Sequence, residues 1–171
     1  LTLPIAGAAY GLAKFTAAAA DDAQQQVVLA NSLRNVAGAT AEQIAQTEQW
    51  ITAQGKLFGV ADDQLRPALS QLAAATHDVS KAQQLAKTAM DISAKTGVPV
   101  EKAATALAKA YNGQYGQLQR MVVGVDQAAV KNKNFGAVMD SVNKIVGGAS
   151  AAAANTQAGS MQRAQVAMKE A

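Results

Sequence analysis

The chain has 171 residues, half of them hydrophobic, a net charge of +3 and no cysteine, which allows one or two domains and excludes disulfide frameworks and thiolate metal sites. Of these residues 41 are alanine, and an alanine methyl contributes about 0.8 kcal/mol on burial where a Leu, Ile or Phe contributes about 1.5–3. Lys and Arg are scattered among Asp and Glu, and the densest basic cluster, Lys131 and Lys133 with Lys144 beyond, has Phe135 as its one aromatic; a specific nucleic-acid site, which wants a basic face with stacking rings, is not expected.

Apolar positions recur at helical spacing almost throughout and no run alternates with period two over a strand's length, so the predicted class is all-α: a succession of thin helices joined by short glycine-containing turns, as hairpins or an extended bundle, stable mainly when packed against copies or partners. Leu1 is not an initiator methionine and the last residues still read as helix, so a piece of a longer chain is expected. Three regions follow: 1–37, 38–123 and 124–171.

Region 1–37 is one long helix from about residue 6 to Ala37, with Leu12, Thr16, Ala19, Ala23, Val27 and Ala30 on its inner face and Gly38 ending it. Gly7 and Gly11 form a G-x-x-x-G pair suited to close helix packing. Pro4, Lys14 and the glycines make residues 1–20 a poor membrane span. Thr40 and Gln43 have capping-box spacing for a second helix carrying Ile44, Glu48, Ile51 and Phe58, with Trp50 to the side. Gly59 ends it. Asp62 is placed to cap a third helix with Leu65, Leu69, Leu72 and Thr76 inward, in which Pro67 costs a backbone hydrogen bond and predicts a bend or restart. "THDVS" then reads as a cap, through Asp78 or Ser80, for a fourth helix whose inner face is Ala82, Leu85, Ala86, Ala89 and Ile92.

Gly97 closes the fourth helix, Pro99 falls at the first position of a fifth, and Glu101 follows where the helix dipole favours an acid. Leu107, Ala110 and Tyr111 continue inward to a turn at Asn112-Gly113. Gly59-Val60 with Asp63, Ala68 and Leu69 aligns with Gly97-Val98, Glu101, Ala106 and Leu107 at an offset of 38 residues, a weak repeat that common turn chemistry also explains. Phe135, Val138, Met139, Val142, Ile145 and Val146 make the clearest amphipathic helix, ended by Gly147-Gly148. The alanine-rich remainder, with Met161, Gln165 and Met168 at helical spacing, suits a peripheral helix.

The sequence offers little chemistry. His77 is the one histidine, so a two-histidine zinc site cannot be built, and Asp78, its neighbour in sequence, is poorly placed to orient the ring. The pairs Asp21-Asp22 and Asp62-Asp63 each fall at or near a polar helix position, and neighbouring acids on exposed helix starts favour the dipole more readily than they do paired acid and base work. "VGGAS" and "NGQYG" lack the context of a phosphate loop. No catalytic, cofactor-binding or metal-ligating residue is predicted. Gly7, Gly11, Trp50, Phe58, Phe135, Val138, Met139 and Val142 are the candidate helix-packing or assembly contacts.

Residues 62–121, "DDQLRPALSQLAAATHDVSKAQQLAKTAMDISAKTGVPVEKAATALAKAYNGQYGQLQRM", resemble the helical segment of tail tape measure proteins of long-tailed bacteriophages, especially those of actinobacterial hosts. "LTLPIAGAAYGLAKF" is similar to the entry of that region and "ANTQAGSMQRAQ" to its Thr-x-x-Gly exit, while "MVVGVDQAAVKN" departs from the more usual Leu-Gly-Ile-like turn. The resemblance implies a structural, non-enzymatic chain that fills the tail tube, sets tail length during assembly in the host cytoplasm and leaves the virion ahead of the DNA. It implies as partners a few parallel copies of itself, in threefold arrangement, the tail tube and distal tail or hub proteins, tail assembly chaperones and, on ejection, the host envelope. The alternative from another class is a membrane-active helical protein, a toxin or pore former, for which residues 1–37 are the best support.

Overall fold

The computed structural model describes residues 6–169, with side chains from 19 to 168. Among these residues the fold is all-α, as the periodicity predicts. The helices are α1 (Ala6–Ala37), α2 (Ala41–Phe58), α3 (Asp62–Thr76), α4 (Val79–Thr96), α5 (Val100–Tyr111), α6 (Gly116–Met121), α7 (Gln127–Lys131), α8 (Phe135–Val146), α9 (Ala149–Ala154) and α10 (Gln157–Lys169).

Local chemistry explains most boundaries. Thr40 and Gln43 close the predicted capping box on α2, with Thr40 N donating to Gln43 Oε1 at 2.9 Å and Gln43 N donating to Thr40 Oγ1 at 3.2 Å. Gly59 ends α2 at φ 70°, a left-handed conformation that disfavours a side chain, and a methyl there would also stand 3.3 Å from both Arg163 Cγ and the Arg163 backbone nitrogen. Asp78 caps α4 by accepting from Lys81 N at 3.0 Å, and Asn134 caps α8 by accepting from Ala137 N at 3.0 Å.

Three local expectations are corrected. Asp62 does not cap α3: the N-cap is Ala61, with no side-chain cap bond, and Asp62 is the first helical residue, where its carboxylate takes a hydrogen bond from Arg66 instead. Pro67 does not restart the helix, since α3 runs unbroken from Asp62 to Thr76; the proline gives up the bond to the Asp63 carbonyl without ending the helix. Pro99 is the N-cap of α5, one residue earlier than predicted, because its extended backbone leads into Val100. Two short helices, α6 and α7, lie on either side of residues 122–126.

The centre of the molecule is α3, which packs on α5, α1 and α4; α4 in turn packs on α5, α9 and α8. Leu65, Leu69 and Leu72 of α3, Ala82, Ala86, Ala89 and Ile92 of α4, and Ala103, Ala106, Leu107 and Ala110 of α5 are fully buried together. Alanine at so many facing positions lets the axes approach closely, so these helices fill space with little side-chain bulk. The two aligned glycine turns share left-handed geometry, yet the helices around them pack differently: α4 lies along α5, whereas α2 rests chiefly on α10 and α9.

The inner face of α1 is the clearest departure. Leu29 and Leu33 are buried, while Ala19 and Ala23 are exposed and Val27 is 58% exposed; the helix is rotated so that the Asp22, Leu29 and Leu33 side meets α3. Leu12 and Thr16, with Gly7 and Gly11, lie outside the residues whose side chains are described.

Candidate functional site

Arg66 is the residue that the sequence reading missed. It lies on α3 one position from the Leu65–Leu69–Leu72 seam, and its side chain is 3% exposed. A guanidinium so placed needs acceptors from every direction, and three helices supply them. Nη2 donates to Asp62 Oδ2 at 2.9 Å one turn back on α3, Nε donates to Glu48 Oε2 of α2 at 3.1 Å, and Nη1 donates to Asp22 Oδ1 of α1. Glu48 and Asp62 are largely covered, whereas Asp22 is half-exposed.

Burial pulls the Arg66 pKa down, but the charge of Glu48, the hydrogen bonds to Asp22 and Glu48 and the charge of Asp62 together outweigh it and hold the pKa above the ordinary arginine value. Arg66 therefore stays cationic at every pH at which the protein is handled. One positive and three negative groups leave the junction with a formal excess of negative charge, facing a cleft of about 580 Å³ walled also by Gln26, Gln49, Thr52 and Lys56.

The arrangement is that of a structural tie. Among the described residues no group of three or more His, Cys, Asp or Glu is placed to hold a metal ion. His77 is the exposed left-handed C-cap residue of α3, at φ 54°, with Nδ1 3.2 Å from the Val36 carbonyl oxygen, while the Asp78 carboxylate accepts from Lys81 N. The two residues serve the ends of neighbouring helices, as "THDVS" suggests, and form no nucleophile–base pair.

A second polar tie joins distant parts of the chain. Asp91 of α4 accepts through Oδ1 from Ser150 N at 2.9 Å and Ser150 Oγ at 2.6 Å, and through Oδ2 from Gly148 N at 3.2 Å. It caps α9 from another helix, since Gly148 at the N-cap has no side chain to do so.

The predicted contact residues divide by burial. Val138, Met139 and Val142 belong to the interior, Phe58 and Trp50 are partly buried against it, and Phe135 meets Tyr111 edge-to-face with ring centroids 5.1 Å apart. These side chains hold this chain together. Among the described residues Val27, Val28, Leu57, Val123, Met161 and Met168 are the large apolar side chains left exposed. Among the described residues no helix is long and apolar enough to cross a membrane.

Comparison with protein-family models, curated proteins and solved structures finds no match to this chain.

Proposed function

We propose that this chain is a helical structural segment of a phage tail tape measure protein, acting through its extent and its contacts with itself and with tail proteins, without a catalytic step. The observation that carries the reading is the resemblance over residues 62–121, and that stretch is also where α3, α4 and α5 build the centre of the bundle. A small-residue helical interior supports it further, because such helices occupy little width for the length they span. The polar ties at Arg66 and Asp91 join helices to one another, which suits a part whose work is to hold shape.

Mass spectrometry of purified virions tests the proposal against the membrane-active alternative. Peptides of this chain are expected in intact particles and lost from them once genome release is triggered, while the isolated protein leaves dye-loaded liposomes sealed. Leakage by the isolated protein, with none of its peptides in virions, would overturn the reading.

A further inference from the structure

The ends of α1 and α3 meet the first turns of α2 and α4 around a cleft of about 450 Å³. Its walls are Ala37 at the end of α1, Gln46 and Trp50 on α2, His77 at the end of α3, and Ser80 and Gln83 on α4. A space of this size falls within the range of about 300–1,000 Å³ that small molecules occupy. Trp50 is the one tryptophan of the chain; half-buried, it packs on the core and also lines the cleft. Apart from Trp50, Ala37 and Val79, every lining side chain is polar.

These polar side chains have hydrogen-bonding capacity to spare. Gln83 Nε2 donates to Thr47 Oγ1 at 3.3 Å, which leaves the Gln83 Oε1 acceptor unused. Asp78 Oδ1 accepts from Lys81 N at 3.0 Å, and its second oxygen has no donor among the described residues. His77 Nδ1 lies 3.2 Å from the Val36 carbonyl oxygen; in the neutral ring that nitrogen carries the proton and Nε2 is left as an acceptor. The Ser80 hydroxyl and the Trp50 indole N–H have no partner among the described residues. Donors and acceptors therefore surround one flat apolar ring, with a single carboxylate for charge. One carboxylate is too few oxygen ligands for a divalent cation and repels an anion. A neutral ligand that joins many hydroxyls to an apolar face matches both kinds of wall.

We propose that this cleft binds a neutral sugar of one or two rings, its apolar face against Trp50 and its hydroxyls bonded by His77, Asp78, Ser80 and Gln83. The site depends only on this geometry and stands apart from the assignment to a phage tail.

Fluorescence titration of the intact chain tests it, because the only indole of the chain stands in the wall of the cleft. The probes are glucose, galactose, N-acetylglucosamine, maltose and diacetylchitobiose at up to tens of millimolar, with glycerol as a polyol that has no ring. At least one sugar should change the Trp50 emission saturably, and glycerol should not. Asp78→Asn keeps the cap on α4, since asparagine caps as well as aspartate, and should raise that sugar's dissociation constant about tenfold through loss of a charged acceptor. Ser80→Ala, at an exposed position in the first turn of α4, should raise it about threefold. Both variants should melt close to the wild-type temperature, which separates lost binding from lost fold. Saturation by none of the five sugars would overturn the proposal. So would a response to glycerol equal to that of the sugars, or an affinity that neither substitution moves.

Discussion

At the scale of single residues, Arg66 ties three helices together at its guanidinium. Arg66→Ala removes the cation and leaves three carboxylates facing one another, so unfolding in urea should show a loss of about 2–4 kcal/mol. Arg66→Lys keeps the charge but cannot present a planar fork to three acceptors, and its loss should lie between the wild type and the alanine variant. If both variants matched the wild type, the junction would be decoration on a bundle held by its leucines alone. Asp91 is the second such residue. Asp91→Ala uncaps α9 and should cost about 1–2 kcal/mol, accompanied in amide exchange by faster opening of α9 and α10 than of α3.

At the scale of the helix, α1 tests the packing directly. Leu29 is fully buried and Val27 is 58% exposed, so Leu29→Ala should destabilise by about 2–4 kcal/mol and Val27→Ala by less than about 0.5; the reverse order would mean that the helix is docked on its other face. The same helix shows where the sequence stops being informative. Thr40 with Gln43, Gly59, Gly97 and Asp78 announce helix ends through short-range chemistry, and the leucine spacing of α3 leaves one choice of inner face. In α1 alanine occupies so many positions that the stripe through Ala19, Ala23 and Val27 is as regular as the one through Leu29 and Leu33. Bulk, and not periodicity, decides which side is buried.

The Arg66 junction was half legible. Asp62 and Arg66 stand one turn apart in "DDQLR", a spacing that brings their side chains together on a helix, whereas Asp22 and Glu48 come from other helices and reach Arg66 only through the fold. Asp91 and Ser150, 59 residues apart, left no local signal at all.

At the scale of the whole molecule, α1 to α8 share one continuous interior in which α3, α4 and α5 are central, and α9 and α10 pack on α2. Leu65, Leu69, Leu72 and Leu107 are buried within the chain itself, while Leu57 is left exposed. A tape-measure role places length above everything else. As one drawn-out helix the 171 residues would span roughly 260 Å at 1.5 Å per residue, whereas the 32 residues of α1, the longest helix of the bundle, span about 48 Å. The measurement that bears most directly on the proposed role is tail length by electron microscopy after in-frame deletion of these residues from the gene that encodes them. The tails should shorten by an amount between those two bounds, nearer the lower one where the bundle stays folded in the virion, and tails of unchanged length would contradict the account.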